Sequence, residues 1–161
     1  MRTIIIYFSL TGNTKKLAVN IYRILKEKNF DVSLFELEEK NKESSFLKNC
    51  IRAILGKSRE IEKVPNLENY DLIFLGTPVW AGRITPYVKN FLKFAELKNK
   101  KVFLFITYGS GFMKNRAMKE FIKSVEIKEG IVIGKIEIKG KRVEENINYV
   151  KQEIEKCLKE S

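Results

Sequence analysis

Apolar positions along the chain fall into short continuous runs separated by stretches of helical period. Residues 3–8 (Thr-Ile-Ile-Ile-Tyr-Phe) form a β-branched and aromatic run, the pattern of a buried strand. Leu17, Ala18, Ile21, Ile24 and Leu25 then recur at helical spacing, in a helix predicted to begin near Lys15 and to close at Asn29. Residues 32–37 (Val-Ser-Leu-Phe-Glu-Leu) alternate and predict a strand toward the outside of a sheet. Two further runs, 71–76 and 101–106, predict buried strands, and 130–138 predicts a fifth, kinked at Gly134. Pro86 suits the first turn of a helix carrying Val88, Phe91, Leu92, Phe94 and Ala95. Another helix is predicted near 116–124. A last one over 142–159 has Val143, Ile147, Val150, Ile154 and Leu158 on one face. Ser44 or Ser45 could cap a short apolar helix over 44–56, an interface or local core, followed by a polar loop over 57–69.

Five strands alternating with helices imply an α/β fold with a parallel sheet covered on both faces. The expected architecture is a three-layer, doubly wound, five-stranded parallel sheet in the order 2-1-3-4-5, as one domain over residues 1–161. Such sheets bind ligands beyond the carboxyl ends of their strands, at the switch point beside strand 1. The loops 9–14, 77–84 and 107–113 should therefore meet, and they are the loops rich in Gly, Ser and Thr.

Composition narrows the chemistry. The 161 residues are 44% hydrophobic, enough for a sizeable core. No apolar run approaches the roughly 20 residues that span a bilayer. The first residues read as a strand rather than a signal peptide, so a cytoplasmic setting without membrane insertion is expected. Cys50 and Cys157 stand far apart and make no disulfide framework, redox pair or zinc site. The chain has no histidine, which removes Ser-His and Cys-His catalysis and the common histidine metal sites. No metal and no catalytic acid, base or nucleophile is expected. With 31 Lys and Arg against 20 Asp and Glu, the net charge of +11 favours acidic partners. The basic residues are scattered among glutamates and form no nucleic-acid stripe.

The segment Ser9-Leu10-Thr11-Gly12-Asn13-Thr14 joins a buried strand to a helix. A helix N-terminus offers unpaired N–H groups and a positive dipole end, which suit a phosphate dianion. Three hydroxyls can add hydrogen bonds, Gly12 permits the tight backbone, and the Asn13 side chain can brace the loop. Rival sites fail on the same residues. There is no G-x-G-x-x-G and no G-x-x-x-x-G-K-[ST], and strand 1 ends without the acids of a phosphoacceptor site.

Ser9-Leu-Thr-Gly-Asn-Thr14 after strand 1 resembles the flavodoxin phosphate signature. The segment from Asp71 to Pro86, with Thr77-Pro78-Val79-Trp80-Ala81-Gly82 at its centre, is similar to a broad flavodoxin-like branch that includes NAD(P)H:quinone reductases. The two motifs and the element order cover most of the chain. The resemblance implies non-covalent FMN, with its 5′-phosphate in loop 9–14. It implies Trp80 as the ring stacked on the flavin, and the backbone of Ala81 and Gly82 near N5 and a ring carbonyl. A peptide in that loop reorients in flavodoxins when N5 is protonated, and Gly82 would permit it. Tyr108, Gly109, Ser110 and Gly111 would cover the pyrimidine end, with Tyr108 or Phe112 as a second aromatic contact.

The chain departs from the family in charge. Typical flavodoxins are acidic around the flavin, whereas here Arg83, Lys114, Arg116, Lys15 and Lys16 follow the expected flavin loops. The second one-electron potential should be higher than in an acidic flavodoxin, and redox partner proteins should be acidic or of mixed charge. The leading function is an FMN-binding carrier that shuttles electrons between a reductase and an acceptor. The alternative is an FMN-dependent NAD(P)H:quinone-type oxidoreductase, and a third is an interaction module without flavin. No dedicated nicotinamide-binding motif is present, which favours the carrier.

Overall fold

A computed structural model describes residues 1–38 and 64–159. Five parallel strands form its centre: β1 (Arg2–Tyr7), β2 (Asp31–Glu36), β3 (Leu72–Trp80), β5 (Lys101–Tyr108) and β6 (Ile131–Lys139). Their order is β2-β1-β3-β5-β6, with the short antiparallel β4 (Arg83–Ile84) paired to β3 alone. The five parallel strands thus run in the doubly wound order expected from the sequence. The alternating strand 32–37 lies, as its pattern indicates, at an edge.

The side-chain period of a strand divides the core into two layers. Ile4, Ile6, Ile73, Leu75, Val102, Leu104 and Ile106 face α2 (Pro86–Phe94) and α3 (Lys114–Glu126). Ile5, Tyr7, Leu72, Phe74, Phe103 and Phe105 face α1 (Asn13–Glu27) and α4 (Ile147–Lys159). Strands buried on both sides read as unbroken apolar runs for this reason. Each helix places its apolar stripe on one layer, and full burial of a large aliphatic or aromatic side chain is worth about 1.5–3 kcal/mol.

The structure differs from the sequence reading at three places. The loop expected over 77–84 is mostly strand. β3 continues past Gly76, pairing Thr77 with Ile106 and Pro78 with Thr107, and then turns back as a hairpin with Val79 opposite Ile84 and Trp80 opposite Arg83. Thr, Val and Trp fit a pleated surface, while Pro and Gly in the same stretch read as loop. Second, the last helix begins at Ile147. Residues 140–146 form two 3₁₀ turns, where the Asn146 side-chain amide donates to the Arg142 carbonyl at 2.7 Å and competes with the helical ladder. Third, Phe94 belongs to its helix but is 65% exposed. The irregularity expected at Gly134 is a register shift: Val102 pairs with Val132 and Phe103 with Gly134, leaving Ile133 as the bulged residue. The Cys157 thiol donates to the Ile133 carbonyl at 3.1 Å. Cys50, the predicted helix over 44–56 and most of the loop 57–69 lie outside the described residues.

Candidate functional site

Four connections leave the carboxyl ends of β1, β3, β5 and β6 at one end of the sheet, around a cavity of about 500 Å³. That volume lies within the roughly 300–1,000 Å³ of small-molecule sites. A second cavity of about 430 Å³, lined by Leu67, Phe94 and Lys100 among others, lies at the opposite, amino end of the strands and holds none of the predicted residues.

The first wall is the β1–α1 loop. Gly12 takes φ 85° at the N-cap of α1, and no side chain caps this helix from that position. Its first turn carries no acid. Lys16 N–H donates to the Gly12 carbonyl at 2.9 Å, the first helical bond, so the N–H groups before it face outward as donors. Ser9 Oγ accepts from Lys15 N–H at 3.2 Å, and Asn13 Nδ2 donates to Thr11 Oγ1 at 3.3 Å, bracing the loop. Thr11 and Asn13 line the cavity. Thr14 is buried behind them, its hydroxyl 2.7 Å from that of Thr107 on β5. Backbone donors ahead of Lys15, a glycine in the left-handed region and no acid in the first turn form a cradle that fits a phosphate.

The second wall is the β3–β4 hairpin. Ala81 (φ 50°) and Gly82 (φ 71°) both occupy the left-handed region, the geometry of a two-residue type I′ turn. Pro78, Val79 and Trp80 line the cavity. Trp80 packs edge-on against Phe8 (5.7 Å between centroids) and Tyr87 (6.1 Å), which stack on each other at 4.0 Å. Thr77 is fully buried. Its hydroxyl donates to the Pro78 carbonyl, accepts from Thr85 N–H, and lies 3.0 Å from the Thr85 hydroxyl, so it braces the hairpin from behind. Glu120 of α3 holds the outer strand, accepting from Ile84 N–H at 3.1 Å and pairing with Lys89 at 2.6 Å and Arg83 at 3.4 Å.

The third wall is the end of β5, where Thr107, Tyr108 and Gly109 line the cavity. Lys114 Nζ lies 4.9 Å above the Tyr108 ring and pairs with Glu137 at 2.7 Å. The Glu137 hydrogen bond holds the Lys114 ammonium above the usual lysine range, against the lowering effect of its own burial. Phe112 is 78% exposed. Of the two candidate aromatics, Tyr108 is the one at the wall.

The fourth wall went unpredicted. Lys139, Gly140 and Lys141 line the cavity from the end of β6. Gly140 sits against Asn13: a Cβ there would fall 2.7 Å from Asn13 Nδ2 and 3.2 Å from its Cβ, so a larger residue would push the Asn13 side chain away from this turn. The carboxyl-end rule that selected the other loops could have selected this one, and Thr107 adjoins a residue already chosen. Of the remaining predicted residues, Ser9, Leu10, Gly12, Ala81, Gly82, Ser110 and Gly111 belong to the wall-forming segments without lining the cavity.

The charges are also arranged differently from the sequence reading. Arg83 and Lys114 are paired with Glu120 and Glu137, and Lys15 pairs with Glu36 at 2.7 Å. The cations at the cavity wall are Lys139 and Lys141. Tyr7 donates to Glu36 at 3.1 Å, and burial, reinforced by that carboxylate, pushes its phenol above the ordinary tyrosine range. Among the described residues no cluster of potential metal ligands occurs, and no helix is long and apolar enough to cross a membrane.

Residues 1–140 match the sequence profile of the NADPH-dependent FMN reductases. The chain belongs to this family. Within the flavodoxin-like group it is similar to the flavodoxin-like domain-containing protein BilS of Clostridioides difficile strain CD3, 29% identical over 146 residues that span 89% of this chain and 69% of the relative. Among solved structures it is similar to a flavoprotein in complex with FMN from Lactobacillus acidophilus NCFM, at 27% identity and TM-score 0.67 over 89% of this chain and 97% of that one. Oxidised flavodoxin 2 from Bacillus cereus shares the fold, with TM-score 0.63 and 23% identity over 97% and 99% of the two chains. This family member is thus a flavodoxin-like α/β protein, and its cavity stands where doubly wound sheets bind their ligands.

Proposed function

We propose that this chain holds FMN non-covalently at the carboxyl end of its sheet and acts as an electron carrier between a reductase and an acceptor protein. The observation that carries the reading is the acid-free N-terminus of α1, begun by Gly12 in the left-handed region, opening on the same cavity as Trp80 and Tyr108. Family membership and the FMN complex of the Lactobacillus acidophilus protein support the cofactor. When bound, FMN takes up and releases electrons one or two at a time, and the protein supplies position and electrostatics.

The β1–α1 loop would take the phosphate, through N–H donors from Leu10 to Thr14 and the hydroxyls of Ser9 and Thr11. Trp80 would flank the ring system, its orientation fixed by Phe8 and Tyr87. Pro78 and Val79 exclude water beside it. The Ala81–Gly82 turn, anchored through Glu120, presents backbone groups to the ring edge. Residues 108–111 close the opposite end. The same reading takes residues 1–161 as one domain and places it in the cytoplasm.

A second reading, an NAD(P)H-dependent FMN oxidoreductase acting on a quinone-type acceptor, is favoured by the family profile and by Lys139 and Lys141 at the wall, which could hold a nucleotide phosphate. Anaerobic mixing of the FMN-loaded protein with NADH and with NADPH separates the two. Flavin absorption that persists supports the carrier, rapid bleaching establishes the oxidoreductase, and a protein that does not bind FMN refutes both.

A further inference from the structure

The four segments that ring the cavity, 9–16, 78–83, 108–116 and 139–142, contain eight of the chain's 31 cations and none of its 20 acids, leaving 23 against 20 elsewhere. The ring therefore brings positive charge to one end of the molecule, offset in part by acids that reach it from outside. Acids from outside these segments reach four of the eight: Lys15 pairs with Glu36, Arg83 with Glu120, Lys114 with Glu137 and Arg142 with Glu145. Lys16, Arg116, Lys139 and Lys141 are exposed and have no acidic partner among the described residues. The N-termini of α1 and α3 lie at the same end and add their positive dipole ends.

Two large apolar side chains stand among these charges, Phe112 at 78% exposure and Leu10 at 45%. An exposed aromatic within a polar rim is the composition of a protein docking patch. The cations are distributed over four loops around a mouth, not along the linear stripe that follows a phosphate backbone.

We propose that this rim is a docking face for an acidic protein, with Phe112 and Leu10 as its apolar contacts and Lys16, Arg116, Lys139 and Lys141 as its charge complement. The role given to the docked protein, as redox partner, rests on the carrier reading above. The face itself rests only on charge and exposure. Complementary potentials of this kind raise encounter rates by about 10–10³-fold and fade as salt shortens the Debye length.

The test titrates the full-length ¹⁵N-labelled chain with zinc-loaded rubredoxin, a small acidic protein. Amide shifts are expected to concentrate in 9–16, 108–116 and 139–142. Affinity should fall about tenfold or more when ionic strength rises from about 0.02 to about 0.3 M, over which the screening length shrinks several-fold. Arg116→Glu with Phe112→Ser, neither at the cavity wall, should weaken rubredoxin by a similar factor and leave FMN affinity unchanged. Arg116→Gln with Phe112→Ser gives the milder loss if the reversal misfolds. Shifts scattered over the surface, salt-independent affinity, or tighter binding of an RNA duplex to the same rim at equal salt would overturn the proposal. FMN affinity is titrated separately. A chain that bound rubredoxin as described but not FMN would keep the docking face and lose the carrier reading.

Discussion

Gly82→Ala tests how the β3–β4 hairpin is built. Two effects act on it, and the structure lets them be separated. The residue sits at φ 71°, where a side chain costs about 1–2 kcal/mol relative to glycine. A Cβ there would also fall 2.7 Å from Met113 Cβ, with Met113 Cε at 3.0 Å and Sδ at 3.2 Å. Overpacking of that kind costs about 1–3 kcal/mol. The single variant should therefore lose about 2–5 kcal/mol, read as a lower urea midpoint at constant slope. Met113 itself lies at φ 62°, so Met113→Gly removes the clashing atoms and relieves its own backbone strain. In the double variant the clash disappears and only the φ cost at position 82 remains. A double-mutant cycle should then show coupling of about 1–3 kcal/mol. The same shift of the hairpin should weaken FMN in the single variant and spare it in the double. Additive stability losses, with coupling near zero, would refute the packing argument.

Three other outcomes are expected. Trp80→Phe keeps an aromatic against Phe8 and Tyr87 but shortens the wall, and should weaken FMN by roughly 10-fold or less, about the 0.5–1.5 kcal/mol of one aromatic contact, measured by flavin fluorescence titration. Thr14→Val strands the buried Thr107 hydroxyl and should cost about 1–3 kcal/mol, while Thr14→Val with Thr107→Val recovers most of it; equal urea midpoints for the single and double variants would argue against the pair. Tyr7 binds its proton more tightly folded than unfolded, so its contribution is complete below the ordinary tyrosine range and is lost progressively as pH rises from there toward the raised folded value. Tyr7→Phe should flatten the loss of stability above about pH 10, and an ultraviolet titration should find one tyrosine that does not ionise while the protein stays folded.

The strand order could be read from sequence because burial on both faces leaves unbroken apolar runs in β1, β3 and β5, while β2 and β6 at the two edges carry alternating stretches. The β1–α1 loop could be placed because glycine and hydroxyl residues between an apolar run and a helical stripe mark a helix start. The hairpin could not, since Thr77, Pro78 and Gly82 are also loop residues. What makes 77–80 strand is pairing with β5, a contact made across more than twenty residues of sequence. The pairing of Arg83 and Lys114 escaped for a similar reason. Glu120 and Glu137 come from α3 and β6, and their approach is a property of the folded sheet. Lys139 and Lys141 were missed because their segment carries no turn signature beyond Gly140. It is positioned by the bulge and register of β6 rather than by its own composition.

That bulge has a consequence for self-association. Among the described residues β6 is the last strand of the sheet, and one row of its backbone groups has no neighbouring strand there. An open row of this kind can template pairing with another copy, the first step of edge-to-edge aggregation. The extra residue at Ile133 breaks the regular spacing of that row, and Lys135, Glu137 and Lys139 place a charge at every second position beyond it. A second molecule approaching this edge would meet a twisted ladder and would have to desolvate three charges to pair with it. The bulge and the charges thereby protect the edge through β6 itself.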